Sequence, residues 1–235
     1  MSVDIKLDTL KADFPCVVSS VILALYNNAH YSDLIVPFRA VNRPDLTWSH
    51  QTQSFGQNGI YSLGTTQSIG LSSIIRLNTT ALQNSSKLFV AAAAIHETSH
   101  AYSNYFVQQR NFDSANLPVM NWASSLINYH QLDSMHTQDP NYVDHISFME
   151  NQFNRMVEIL QDFDNNQHSI SEYRMAMLYG MNGAGTSQNA SHIAHLNNLH
   201  SYLSVKHGLN SNVMNQFYLN NLNADQSARV PQNCP

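Results

Sequence analysis

The sequence predicts an α+β fold in a single domain spanning residues 1–235, and three observations carry that prediction. Short alternating runs broken by glycines occupy 45–78, whereas every periodic segment beyond Ser85 has the period of a helix. No repeat and no long linker divides the chain, and 235 residues suffice to bury one full core. The expected layout is a small N-terminal sheet packed on a mainly helical body, with one apolar helix at its centre.

The elements follow in order. Asp13 and Pro15 mark a helix start, and 16–29 is an apolar-rich helix. The runs 46–51, 59–63 and 71–77, separated by Gly56, Gly59, Gly64 and Gly70, are expected to form a small antiparallel or mixed sheet. Its last strand, 71–77, is the expected edge for pairing with an extended peptide, an ordinary core strand being the alternative. Ser85 and Ser86 offer capping hydroxyls, and no helix breaker follows them, which predicts a helix from about 86 to 107. Leu88, Val90, Ile95, Ala101, Tyr102 and Phe106 make that helix apolar on nearly every face, so it belongs in the core. In 140–164, Phe148, Met149, Phe153, Met156, Ile159 and Leu160 define one apolar stripe with His145 at its middle, while Glu150 and Glu158 fall outside it.

The central helix carries His96-Glu97-Thr98-Ser99-His100. Two histidines four residues apart project from one face and can chelate one ion, and the carboxylate between them lies beside that face. From there Glu97 can take a proton from a metal-activated water without ligating the metal. Glutamate occurs only at Glu97, Glu150, Glu158 and Glu172, so residue frequencies put a chance match at about 1%. A buried helix with satisfied polar residues is the plain alternative.

A catalytic zinc site takes three protein ligands and leaves one position for water. The metzincin pattern would need Gly at 103 and His at 106, where the chain has Ser103 and Phe106. His145 is the expected third ligand, because a buried motif helix needs a partner helix presenting a ligand inward; a satisfied core histidine is the alternative. Glu150 is the runner-up for that position. The two lie about 140° apart around a helix and are not expected to hold the same ion.

These segments, together with Ile75-Arg76-Leu77-Asn78 before the motif helix and Ile159-Leu160-Gln161-Asp162-Phe163-Asp164 after it, resemble a group of bacterial zinc metallopeptidases of SprT-like zincin type. The resemblance covers roughly 70–180. It implies His96, His100 and His145 as Zn2+ ligands, Glu97 as the catalytic acid/base, and hydrolysis of a protein or peptide substrate. A non-catalytic zinc-binding or surface-interaction protein with a zincin shell is the alternative; a general base at Glu97 has no use in such a site.

Charged residues are 11% of the chain, and Lys and Arg total 11 against 16 acids with no basic run, which disfavours nucleic acid as a partner. No run of about 20 apolar residues exists, so no membrane span is expected. Cys16 and Cys234 are the only cysteines; paired, they would join the C-terminal tail to the first apolar helix in an oxidising compartment, and unpaired they would suit a reducing one. A secreted or cell-surface location is expected, with the cytoplasm as the alternative, although 1–10 lacks the apolar core of a signal peptide. His192 and His195 have a spacing that could bind a second metal, but with His200 they fit a polar helix face better. Tyr142, Tyr173, His130 and His136 are further candidates for the cleft or for an oxyanion donor.

Overall fold

The computed structural model describes residues 5–39, 43–52, 61–108, 152–179, 190–232 and 234. In chain order its elements are β1 (Ile5–Lys6), α1 (Asp8–Asp13), α2 (Pro15–Val17), a π-helical turn (Val18–Ile22), α3 (Leu23–Tyr26), α4 (Ala29–Ile35), a 3-10 turn (Val36–Phe38), β2 (Leu46–Gln51), β3 (Gly64–Ile69), β4 (Ser72–Asn78), α5 (Thr79–Asn84), α6 (Lys87–Gln108), α7 (Phe153–Phe163), α8 (Ile170–Tyr179), α9 (Ala190–Lys206) and α10 (Ser211–Leu222). This is an α+β architecture with a small mixed sheet and a mostly helical body.

The expected helix over 16–29 is interrupted twice. The Ser20 hydroxyl donates to the Cys16 carbonyl at 2.7 Å, and that of Ser19 reaches the same oxygen at 3.3 Å, where the backbone widens into its π-helical turn. Asn28 then ends the run. Its side-chain oxygen accepts from the N–H groups of His30 and Tyr31, both at 2.9 Å, and so opens α4 as a new helix.

The four strands lie in the order β1-β2-β4-β3, with β1, β2 and β4 parallel and β3 antiparallel to β4. This corrects two expectations. Strand β4 lies inside the sheet between β2 and β3, so 71–77 is no edge; β3 is the edge on that side among the described residues. The strand expected over 59–63 is not found, since 61–63 are irregular and 59 and 60 lie outside the described residues. The strand there is β3, whose inward positions are Gly64, Thr66 and Ser68.

Register places Trp48 beside Ile75 and Ile75 beside Thr66, so these three share one face. That face is buried. Trp48 is fully enclosed, with its indole N–H donating to the Tyr26 hydroxyl at 2.7 Å, and α6 packs over β3 and β4.

Helix α6 runs for 22 residues through the core, one residue displaced at each end from the expected 86–107. Every residue from 88 to 103 is buried, the alanines at 91–94 included. Its first turn is capped from two directions. The Ser86 hydroxyl accepts the Phe89 N–H at 3.2 Å, while the N–H groups of Ser86 and Lys87 donate to the carbonyls of Asn221 and Ala228 at 2.8 and 2.9 Å. Arg229 holds this C-terminal stretch by donating from Nε to the Ala224 carbonyl at 2.6 Å and from Nη1 to the Gln83 carbonyl at 3.3 Å. Beyond it Cys234 is bonded to Cys16, with their Cα atoms 5.3 Å apart, so the tail closes onto α2.

Candidate metal centre

Successive residues of α6 point about 100° apart, and in this motif each direction meets a different neighbour. Glu97 faces β3, Thr98 faces α4, Ser99 faces α7, and His96 and His100 share the remaining side. Thr98 accepts the Tyr31 hydroxyl at 2.6 Å and donates to the Ala94 carbonyl at 2.7 Å. Burial away from all water pushes the Tyr31 phenol well above its ordinary pKa, so it stays a neutral donor. Ser99 donates to the Ile95 carbonyl at 2.9 Å and touches the Met156 sulfur at 3.7 Å. The middle of the motif is therefore a structural anchor with its buried hydroxyls satisfied inside the helix or just beyond it.

The Nε2 atoms of His96 and His100 lie 3.0 Å apart, with the rings edge to face. Two nitrogens on one tetrahedral zinc, each about 2.0–2.1 Å from it, stand roughly 3.3 Å apart. An opening of about 0.3 Å would match the pair to that requirement, well within the reach of two imidazole side chains. Without a metal the same approach needs one ring to donate N–H to the other. His96 and His100 keep 7% and 8% exposure.

Glu97 is 6% exposed. The Thr66 hydroxyl lies 2.7 Å from its Oε2 and 2.9 Å from its backbone carbonyl. Gly64, two residues earlier on the same face of β3, comes so close that a Cβ there would stand 3.0 Å from Glu97 Cγ and 3.3 Å from Leu77 Cδ2. A side chain at this position would press on Glu97 and Leu77, which would have to give by a few tenths of an ångström. Neither Gly64 nor Thr66 was among the sequence-derived candidates. The paired threonines Thr65 and Thr66 after a glycine are the signal that could have found the strand.

His145, Glu150, Tyr142, His130 and His136 lie outside the described residues. Among the described residues no third His, Cys, Asp or Glu joins His96 and His100 in a metal-sized group. The lower part of the expected apolar stripe is in place, since Phe153, Met156, Ile159 and Leu160 are buried and Glu158 is exposed. Tyr173 is engaged elsewhere. Its hydroxyl donates to Asp164 Oδ2 at 2.7 Å and accepts the His168 N–H at 3.0 Å, locking the turn between α7 and α8. His200, on α9, is 3.4 Å from the Tyr218 hydroxyl, and its burial lowers its pKa; it packs α9 against α10. The side chains of His192 and His195 lie outside the description.

No helix among the described residues is long and apolar enough to cross a membrane. No protein-family model, curated protein or solved structure matches this chain.

Proposed function

We propose that this chain is a zinc metallopeptidase that cleaves a protein or peptide substrate, with Glu97 as general base. The observation that carries the reading is the convergence of His96 Nε2 and His100 Nε2 to 3.0 Å beside a nearly buried carboxylate held by the neighbouring strand. Two inward imidazoles with an adjacent, separately fixed carboxylate suit a hydrolytic centre better than a closed structural site, which takes four ligands and no base. Zinc bound there would supply a water acidified towards pH 7 and a Lewis acid for the substrate carbonyl.

His145 is the proposed third ligand. What supports it is the sequence pattern alone, which sets His145 on the same apolar stripe as Met156, Ile159 and Leu160. Glu97 would take the proton of the attacking water and pass it to the leaving amine. The edge strand β3 runs alongside, and a substrate paired to it in extended form would lie near Glu97. The Cys16–Cys234 bond favours a secreted or cell-surface protein.

The direct test is metal content and turnover. Protein purified without chelator should hold close to one equivalent of zinc and cleave some members of a quenched-fluorescence peptide library. Glu97→Gln should keep the zinc and lose turnover by about three or more orders of magnitude. No metal even after reconstitution, or full turnover in the Glu97→Gln protein, would refute the proposal.

A further inference from the structure

We infer that Thr66, with Gly64 beside it, is a positioning residue that fixes the Glu97 carboxylate. The inference deepens the metallopeptidase reading and rests on it for its bearing on catalysis.

Two independent features of β3 meet at one side chain. Gly64 and Thr66 are two residues apart on a strand, so both face α6. Gly64 lets the strand close on the Glu97 stem, where a methyl group would be only 3.0 Å from Cγ. Thr66 then presents a hydroxyl 2.7 Å from Oε2 and 2.9 Å from the carbonyl of the same residue. With the strand drawn close to its stem and a hydrogen bond at its tip, the carboxylate is restricted in its rotamers before any substrate arrives. The single Thr66 hydroxyl proton can serve the carboxyl oxygen or the carbonyl of the same residue, and either bond ties Glu97 to β3. The β-branched Thr66 is itself restricted at χ1, so its hydroxyl is aimed by the strand.

A general base must lie within hydrogen-bond reach of the proton it removes, and a carboxylate one residue from a histidine ligand can swing toward the metal or away from it. The Thr66 contact decides between these. Because β3 is also the edge at which an extended peptide would pair, the same strand would carry the substrate on its outer side and the base on its inner face. The two would then keep a fixed relative position.

The test uses the full chain and the variants Thr66→Val, which removes only the hydroxyl at nearly constant shape, Thr66→Ser, which restores it, and Gly64→Ala. The protein has four glutamates, so carbon-13 labelling at the carboxyl carbon gives four signals, and loss of one in Glu97→Gln assigns Glu97. At one fixed pH, well above the carboxylate range, Thr66→Val and Gly64→Ala should move the Glu97 signal and leave the other three in place, and Thr66→Ser should return it. Zinc affinity by chelator competition should stay within about threefold in Thr66→Val, since Thr66 is not a ligand. With an active peptide, kcat should fall by about 10- to 100-fold at unchanged KM in Thr66→Val, and recover in Thr66→Ser.

An unmoved Glu97 signal in Thr66→Val would overturn the inference. So would a moved signal with undiminished kcat. A wild-type protein that binds zinc and cleaves nothing would instead defeat the proposed reaction, and the carbon-13 shift would still decide whether Thr66 holds Glu97.

Discussion

Replacing Cys234 by serine should destabilise the protein mainly through its unfolded state. The bond links residues 218 positions apart, so nearly the whole chain is closed into one loop. Loop-closure entropy for that separation gives about 5 kcal/mol, the upper end of what a single crosslink contributes. The folded state loses little else, because the tail keeps its other anchors: Asn221 and Ala228 still accept the first N–H groups of α6, and Arg229 still reaches Ala224 and Gln83. At about 2.1 cal/mol/K of unfolding entropy per residue, that loss lowers Tm by roughly 10 °C. Urea unfolding should show the same loss as a lower midpoint and a modestly larger slope, since an unlinked chain exposes more surface when unfolded. Cys16 is buried whereas Cys234 is exposed, so Cys16→Ser should cost more than Cys234→Ser by the price of enclosing an extra hydroxyl. Zinc affinity should hardly change in Cys234→Ser, because the hydrogen bonds that cap α6 remain. Equal Tm values, within about 1 °C, for wild type and Cys234→Ser, or two alkylated cysteines in the non-reduced wild-type protein, would refute this account.

Two further outcomes are expected. His145→Ala should weaken zinc binding by orders of magnitude in chelator competition while Glu150→Ala leaves it nearly unchanged; the reverse result would move the third ligand to Glu150. Stability should also fall in alkali. Burial raises the phenols of Tyr31, Tyr102, Tyr179 and Tyr218 well above their ordinary pKa, and burial together with the Asp164 hydrogen bond pushes Tyr173 up to about 12. Their folded pKa values exceed the unfolded value near 10, so this contribution is complete below pH 10 and is lost above it, as only the unfolded chain ionises. For Tyr173 the loss runs between about pH 10 and 12. Urea midpoints that stay level across this range would exclude the effect.

The motif, the central helix and the strand β2 were legible in the sequence because each rests on a local rule. Four-residue spacing sets the two histidines on one side of any helix, whatever surrounds it. Leu46 and Trp48 alternate with Thr47 and Ser49 as a strand with one buried face must. The α+β division followed from the same change of period. Strand β3 escaped that rule because its inner face is not packed with large apolar side chains; Gly64 and Thr66 are small and lie against Glu97 of α6. The edge was misplaced for a related reason. Strand order is a matter of which backbones pair: β3 and β4 are a local hairpin, but the parallel pairing that covers the other side of β4 joins residues far apart in the chain, such as Leu46 and Ser73.

Sequence by itself thus determined which side chains could do chemistry, since ligand spacing and residue type are properties of a single helical turn. Only the tertiary structure decided what holds them. Tyr31 lies 67 residues from Thr98, Thr66 lies 31 from Glu97 and Cys16 lies 218 from Cys234, separations over which no local periodicity carries information. Those contacts form because packing one apolar helix against a sheet, a helix on its far side and a C-terminal tail leaves polar groups such as Thr98 and Glu97 needing partners, which come from wherever the chain passes.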